Sequence, residues 1–133
     1  PIGEALGLSA AIKYIEKIGI KDISKKNLKL KKRMVSGLKK IDGLNILNPK
    51  SLGPVVSFNL ERVHPHDVGS ILGELGICVR TGHMCCQPFM EHLGIFGVVR
   101  ASIHFYNDEK DIDRLIDGIK KVKGDHRHHY IYL

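Results

Sequence analysis

Val98-Val99-Arg100-Ala101-Ser102-Ile103-His104-Phe105-Tyr106 alternates strictly, with Val99, Ala101, Ile103 and Phe105 on one side and Arg100, Ser102, His104 and Tyr106 on the other. A period of two marks a strand with one buried and one polar face. Directly after it the period changes to that of a helix ending at Gly124. Ile112, Leu115, Ile116, Ile119 and Val122 make one stripe. Asp108, Glu109 and Asp111 lie at the positive end of that helix and Lys120, Lys121 and Lys123 at the negative end, with Asn107 the expected N-cap. A half-buried strand that hands over to an amphipathic helix implies a sheet covered by helices.

Moving outward, Gly76-Ile77-Cys78-Val79-Arg80 predicts a strand over residues 77–80, and residues 81–97 hold Gly, Pro, His and Cys without a sustained period. That stretch reads as a loop with one helical turn over residues 89–93. His64-Pro65 opens a helix lined by Val68, Ile71, Leu72 and Leu75 and stopped by Gly76. Short strands are expected over residues 44–47 and 55–60, separated by Pro49, Gly53 and Pro54. Before them stand two helices. The first covers residues 4–18, with Leu8, Ala11, Ile12, Ile15 and Ile18 in helical register before Gly19; the second is lysine-rich, with Leu30, Met34, Val35, Leu38 and Ile41 on one face. The order α-α-β-β-α-β-loop-β-α predicts an α/β (α+β) two-layer sandwich, a small, mostly antiparallel sheet with helices on one side. Residues 125–133 (DHRHHYIYL) predict a disordered tail.

The chain of 133 residues holds material for one core and not for two. No apolar run approaches the roughly 20 residues that span a bilayer, and no signal segment opens the chain, so a cytoplasmic location without membrane contact is expected. The net charge of +7 is local. Residues 21–40 carry nine Lys and Arg against one acid, Asp22, and the rest of the chain is close to neutral. With no interleaved aromatics and no glycine-rich phosphate loop, that face reads as solvated surface and nucleic-acid binding is not expected.

Chemistry concentrates in Arg80-Thr81-Gly82-His83-Met84-Cys85-Cys86-Gln87-Pro88. A thiol reacts as its thiolate, which cations and histidines favour, and Arg80 and His83 lie within five residues of Cys85. Arg100, on the polar face of its strand, offers the two-pronged grip that a carboxylate accepts and that lysine does not reproduce. Together they form a minimal site for a small amino acid. From the residues alone, Cys85 and Cys86 fit burial as well as chemistry, Arg100 fits an ordinary ion pair, and Cys78 in its apolar run reads as a buried hydrophobe. His83, Cys85, Cys86 and His92 match no familiar zinc spacing, so no metal is expected.

Arg80-Thr81-Gly82-His83-Met84-Cys85-Cys86-Gln87-Pro88-Phe89-Met90 resembles the active-site signature of the group II, NifS-like cysteine desulfurases, a branch that includes selenocysteine lyases and in which Arg-Thr-Gly-His-His-Cys-Ala-x-Pro is usual. Val56-Ser57-Phe58-Asn59, Val63-His64-Pro65-His66-Asp67-Val68, Val99-Arg100-Ala101-Ser102 and Tyr106-Asn107 are similar to its flanking segments. The resemblance implies that residues 1–124 are the C-terminal small domain of a class V aminotransferase-type, fold-type I enzyme that uses pyridoxal 5'-phosphate. It implies that Cys85 is the nucleophile that takes sulfur from L-cysteine as a persulfide, leaving L-alanine, and that Arg100 binds the substrate carboxylate. Arg80 and His83 would support the thiol. L-selenocysteine as substrate, a large cofactor-binding domain, a sulfur acceptor of iron–sulfur cluster assembly and a homodimer follow as implied partners. Met84 and Cys86 depart from the pattern, Cys86 placing a second thiol beside the first. The lysine, aspartate and histidine that hold the cofactor in the family have no counterpart here, so this chain alone is expected to bind none and to be inactive. The alternative is a stand-alone persulfide carrier.

Overall fold

The computed structural model describes residues 1–124. The expected tail, with His126, His128 and His129, lies outside the described residues. The elements are α1 (Ile2–Ile18), α2 (Ile20–Leu38), β1 (Leu44–Ile46), β2 (Val55–Leu60), α3 (Pro65–Glu74), β3 (Arg80–Gly82), α4 (Gln87–His92), β4 (Val98–Ser102) and α5 (Glu109–Gly124). The strands form one sheet in the order β1-β2-β4-β3, antiparallel throughout. The two-layer α+β arrangement is therefore present.

Register explains the layering. Val56 pairs with Ala101 and Phe58 with Val99, so these four side chains share one face. They join Leu30, Met34 and Leu38 of α2, Val68 and Leu72 of α3, and Ile112, Leu115, Ile119 and Val122 of α5 in a single apolar cluster. Phe58, Leu38, Leu72 and Ile119 are fully enclosed. The opposite face carries Ser57, Asn59 and Arg100.

Helix ends follow local chemistry. In α3, Pro65 takes the first position, where a missing N–H costs nothing, and His64 Nδ1 accepts the His66 N–H at 3.2 Å. Its end is a Schellman closure: Ile77 N–H reaches Leu72 O at 2.8 Å and Gly76 N–H reaches Gly73 O at 2.9 Å, with Gly76 at φ 70°. At α5 the cap is Asp108 rather than Asn107. Asp108 Oδ1 accepts the Lys110 and Asp111 N–H groups at 2.8 and 3.1 Å, and Asp111 Oδ2 accepts the Asp108 N–H at 3.1 Å. This reciprocal pair is a capping box with aspartate at its third position. Asn107 instead closes the preceding turn, its Oδ1 accepting the His104 N–H at 2.9 Å.

Four further expectations along the chain are corrected, the first being the strand expected over residues 98–106, which ends at Ser102, where its pairing with Val55 ends. The strand expected over residues 77–80 begins at Arg80 and runs to Gly82, because only residues 80–82 find a ladder partner on β4. Ile77 and Val79 pack on the core without joining the sheet. Cys78 between them is exposed rather than buried. The single turn expected over residues 89–93 is a six-residue helix that starts at Gln87.

The lysine-rich helix is tied down more than its composition implies. Lys31 is 2% exposed, and its Nζ donates to Ser51 O and Oγ at 2.6 Å and to Gly53 O at 2.8 Å, anchoring the β1–β2 loop. Burial pushes its pKa down. Arg33 grips Asp113 at 2.8 and 3.0 Å and reaches Glu109 at 3.2 Å, while Lys29 pairs with Glu109 at 2.7 Å. These contacts join α2 to α5. By contrast α1 buries none of its residues, and Leu8 and Ile12 remain open. No helix among the described residues is long and apolar enough to cross a membrane.

Candidate active site

The site forms where β3 leaves the sheet. Thr81 points toward α3, its Oγ1 3.0 Å from His66 Nδ1, and Gly82 follows at φ 109°. Gly97 lies against the Gly82 backbone so closely that a Cβ there would stand 3.1 Å from the Gly82 carbonyl carbon. The chain then reverses over residues 83–86, closed by the Cys86 N–H donating to His83 O at 2.9 Å. Met84 and Cys85 occupy the two central places with φ of 56° and 60°. Positive φ at both is the signature of a mirror-image turn, ordinarily made with Gly or Asn. Each non-glycine residue held there costs about 1–3 kcal/mol. The strain presents Cys85 at the tip.

Arg80 and Arg100 stand directly opposite one another on β3 and β4, and Ser57 of β2 is opposite Arg100 on its other side. Arg80 Nη2 donates to Cys85 Sγ at 3.4 Å. Arg100 is half-buried, and its Nε is enclosed without a hydrogen-bond partner among the described residues. Like charges directly opposite on a sheet repel, and an enclosed donor left unpaired is costly. An anion held between the two guanidinium groups would answer both penalties. The arrangement therefore suits an anionic substrate next to an exposed thiol.

Of the residues singled out from sequence, Arg80, Cys85 and Arg100 come together on one side of the sheet. Cys86 is exposed one residue further on, at the start of α4. His83 supplies its backbone carbonyl to the turn, and its ring makes no hydrogen bond with the described residues. Among the described residues no three metal-ligating side chains converge. Sequence reasoning passed over His66, Thr81 and Gly97, which fix the base of the loop. The Gly97-Val98 junction was the available signal, a glycine where the strand begins. Cys78 lies elsewhere, lining an open pocket of about 250 Å³ with Arg114 and Asp111.

The Aminotransferase class-V family model matches residues 1–115. The chain belongs to this family. It is 41% identical over 122 residues to a probable cysteine desulfurase of Halalkalibacterium halodurans, covering 92% of this chain and 30% of that protein. To a probable cysteine desulfurase of Pyrococcus abyssi it is 45% identical over 124 residues, 91% of this chain and 31% of the relative. The apo structure of a cysteine desulfurase from Thermococcus onnurineus superposes with a TM-score of 0.87 at 43% identity, over 93% of this chain and 32% of that one. This class V chain thus spans about 30% of the length of the curated relatives it matches.

The family's cofactor, pyridoxal phosphate, is held through a lysine amine, and the described residues do not fit that task. The buried lysine, Lys31, has its ammonium committed to Ser51 and Gly53. No lysine stands beside Cys85 and Arg100 on β3, β4 or α4.

Proposed function

We propose that residues 1–124 are the C-terminal small domain of a cysteine desulfurase and supply its sulfur-accepting half. Cys85 takes the sulfur of L-cysteine: an S–S bond forms at Cys85 Sγ, the substrate's C–S bond breaks, and the carbon takes up a proton to leave L-alanine. Arg100 receives the substrate carboxylate. Arg80 compensates negative charge on the Cys85 sulfur, and His83 closes the turn that carries it. The observation that carries this reading is the opposed pair of Arg80 and Arg100 with Arg80 in contact with the thiol.

The cofactor belongs, in this reading, to a large domain outside the chain. Two exposures support that division. Phe89 and Phe96 flank the thiol loop at 52% and 80% exposure, and the apolar side chains of α1 are uncovered. A homodimer in the cytoplasm, passing sulfur to an acceptor of iron–sulfur assembly, completes the proposal; selenocysteine is the alternative substrate. A stand-alone persulfide carrier is the second reading, favoured by a thiol loop without a lysine beside it.

The test mixes the chain with pyridoxal phosphate and L-cysteine. The domain reading expects no aldimine absorbance and no alanine, and alanine formation by this polypeptide would overturn it. Supplied with a small hydropersulfide, Cys85 should gain about 32 Da more readily than Cys78. Equal loading of the two would remove the special role of Cys85.

A further inference from the structure

The proposed chemistry uses Cys85 and leaves its neighbour unexplained. Cys86 is exposed, follows Cys85 directly, and its side chain does not cap α4. Its N–H is engaged by His83 O, so the backbone is fixed while the thiol is free to turn. Cys85 differs in having the Arg80 guanidinium on its sulfur. The two thiols are thus adjacent but not equivalent.

We infer that Cys86 is a resolving thiol that discharges sulfur carried on Cys85. The inference rests on the proposed persulfide role of Cys85. Displacement at sulfur needs the attacking sulfur, the attacked sulfur and the leaving group in line. From a neighbouring residue, attack on the outer sulfur of a Cys85 persulfide would have to bend that line inside the tether. Attack on the inner sulfur leaves the departing group outside the ring, and this is the path adjacency allows. The Cys86 sulfur bonds to Cys85 Sγ, the S–S bond of the persulfide breaks, and its electron pair leaves with the outer sulfur. Together with the persulfide hydrogen and the Cys86 proton, that sulfur departs as hydrogen sulfide. The loop is left with a Cys85–Cys86 disulfide, and no outside oxidant is consumed.

That disulfide is strained. Consecutive Cα atoms are about 3.8 Å apart, whereas disulfides ordinarily join Cα atoms about 4.4 Å apart or more. A strained bond is readily reduced by another thiol, so the closed loop is a reversible off state. Sulfur that meets an acceptor promptly escapes this path; sulfur that waits is vented, and Cys85 is blocked until reduced.

The experiment loads the 133-residue chain anaerobically with a small-molecule hydropersulfide, removes the excess, and follows released sulfide together with tryptic peptides 63–80 and 81–100. The second peptide holds Cys85 and Cys86 and the first holds Cys78. In the wild-type chain a gain of about 32 Da on peptide 81–100 should give way to a loss of about 2 Da with an equivalent of sulfide. In Cys86→Ser the gain should persist about tenfold longer or more, with no sulfide burst. A wild-type adduct as durable as that of Cys86→Ser overturns the resolving role while leaving the persulfide role intact. A loss of about 2 Da in a chain never given the donor overturns it as well. If peptide 81–100 gains no more than peptide 63–80, the carrier role of Cys85 fails instead.

Discussion

Arg80 and Arg100 face each other across the β3–β4 ladder, and neither forms a salt bridge with an acid among the described residues. A fold optimised for stability alone would not place two guanidinium groups there, and Arg100 Nε adds an enclosed unpaired donor. Arg100→Met keeps the aliphatic bulk and removes both penalties. The chain should become more stable by up to about 1 kcal/mol, measured by urea denaturation at low salt. Destabilisation by a similar amount would show that Arg100 is held for packing rather than for a ligand.

The contact between Arg80 and Cys85 predicts a kinetic effect. Arg80→Met should slow alkylation of Cys85 by about three- to tenfold at neutral pH, because the sulfur loses the guanidinium donor that holds it at the loop tip. Cys78, whose pocket contains Arg114 but not Arg80, should react at an unchanged rate. Peptide mapping after timed exposure to iodoacetamide separates the two sites.

The components of the site were legible in the sequence, while their mutual placement was not. Period two over β4 put Arg100 on the polar face, and Gly, His and Cys without periodicity marked the loop. The opposition of Arg80 and Arg100 depends on register, and the apolar run Ile77-Cys78-Val79 drew the strand three residues too early. Apolar alternation reports burial, which Ile77 and Val79 do have; it does not report pairing, which only residues 80–82 achieve. The exposure of Cys78 was missed because the run was read as buried throughout, whereas Ile77 and Val79 turn to the core and Cys78 between them turns outward. Asn107 and Asp108 are both good caps by type, and the choice fell to Asp108 because Asp111 is placed to reciprocate.

Gly97 links packing to the site. A methyl group there would meet backbone atoms of Gly82 that no rotamer change can move away. Gly97→Ala should cost about 1–3 kcal/mol and shift the start of the thiol loop. The Cys85 alkylation rate should then fall toward that of Arg80→Met, although neither Cys85 nor Arg80 has changed. A stable Gly97→Ala chain with wild-type Cys85 reactivity would show that the loop is positioned from its other end.

Acid should weaken the α2–α5 seam. The ammonium of Lys29 holds the Glu109 carboxyl below its ordinary range, Arg33 does so for Asp113, Lys123 for Asp42, and the Asn107 amide for Asp111. With folded values depressed, the unfolded chain binds more protons in acid. The contribution is therefore complete above the ordinary carboxylate values near pH 4 to 5 and is lost as pH falls through the lower folded values. These groups are exposed, so the dependence should be shallow and further flattened by salt. Melting temperatures from pH 6 to 2 should fall less steeply in Arg33→Met than in the wild-type chain.

Helix α1 offers the sharpest test of which parts of this chain fold together. It buries no residue, and Gly19 at φ 93° separates it from α2. Tyr14 of this helix meets Phe105, with ring centroids 6.2 Å apart. An aromatic pair of this kind is worth about 1 kcal/mol. Deleting residues 1–18 should accordingly lower the unfolding free energy by no more than about that amount, leaving the transition cooperative. The same deletion removes Ile2, Leu6 and Leu8, exposed at 80%, 67% and 64%, and so should reduce self-association in light scattering. Loss of several kcal/mol would mean that α1 belongs to the folding unit. Near-unchanged stability with better solubility would mean that its apolar face is made for a surface other than the described residues.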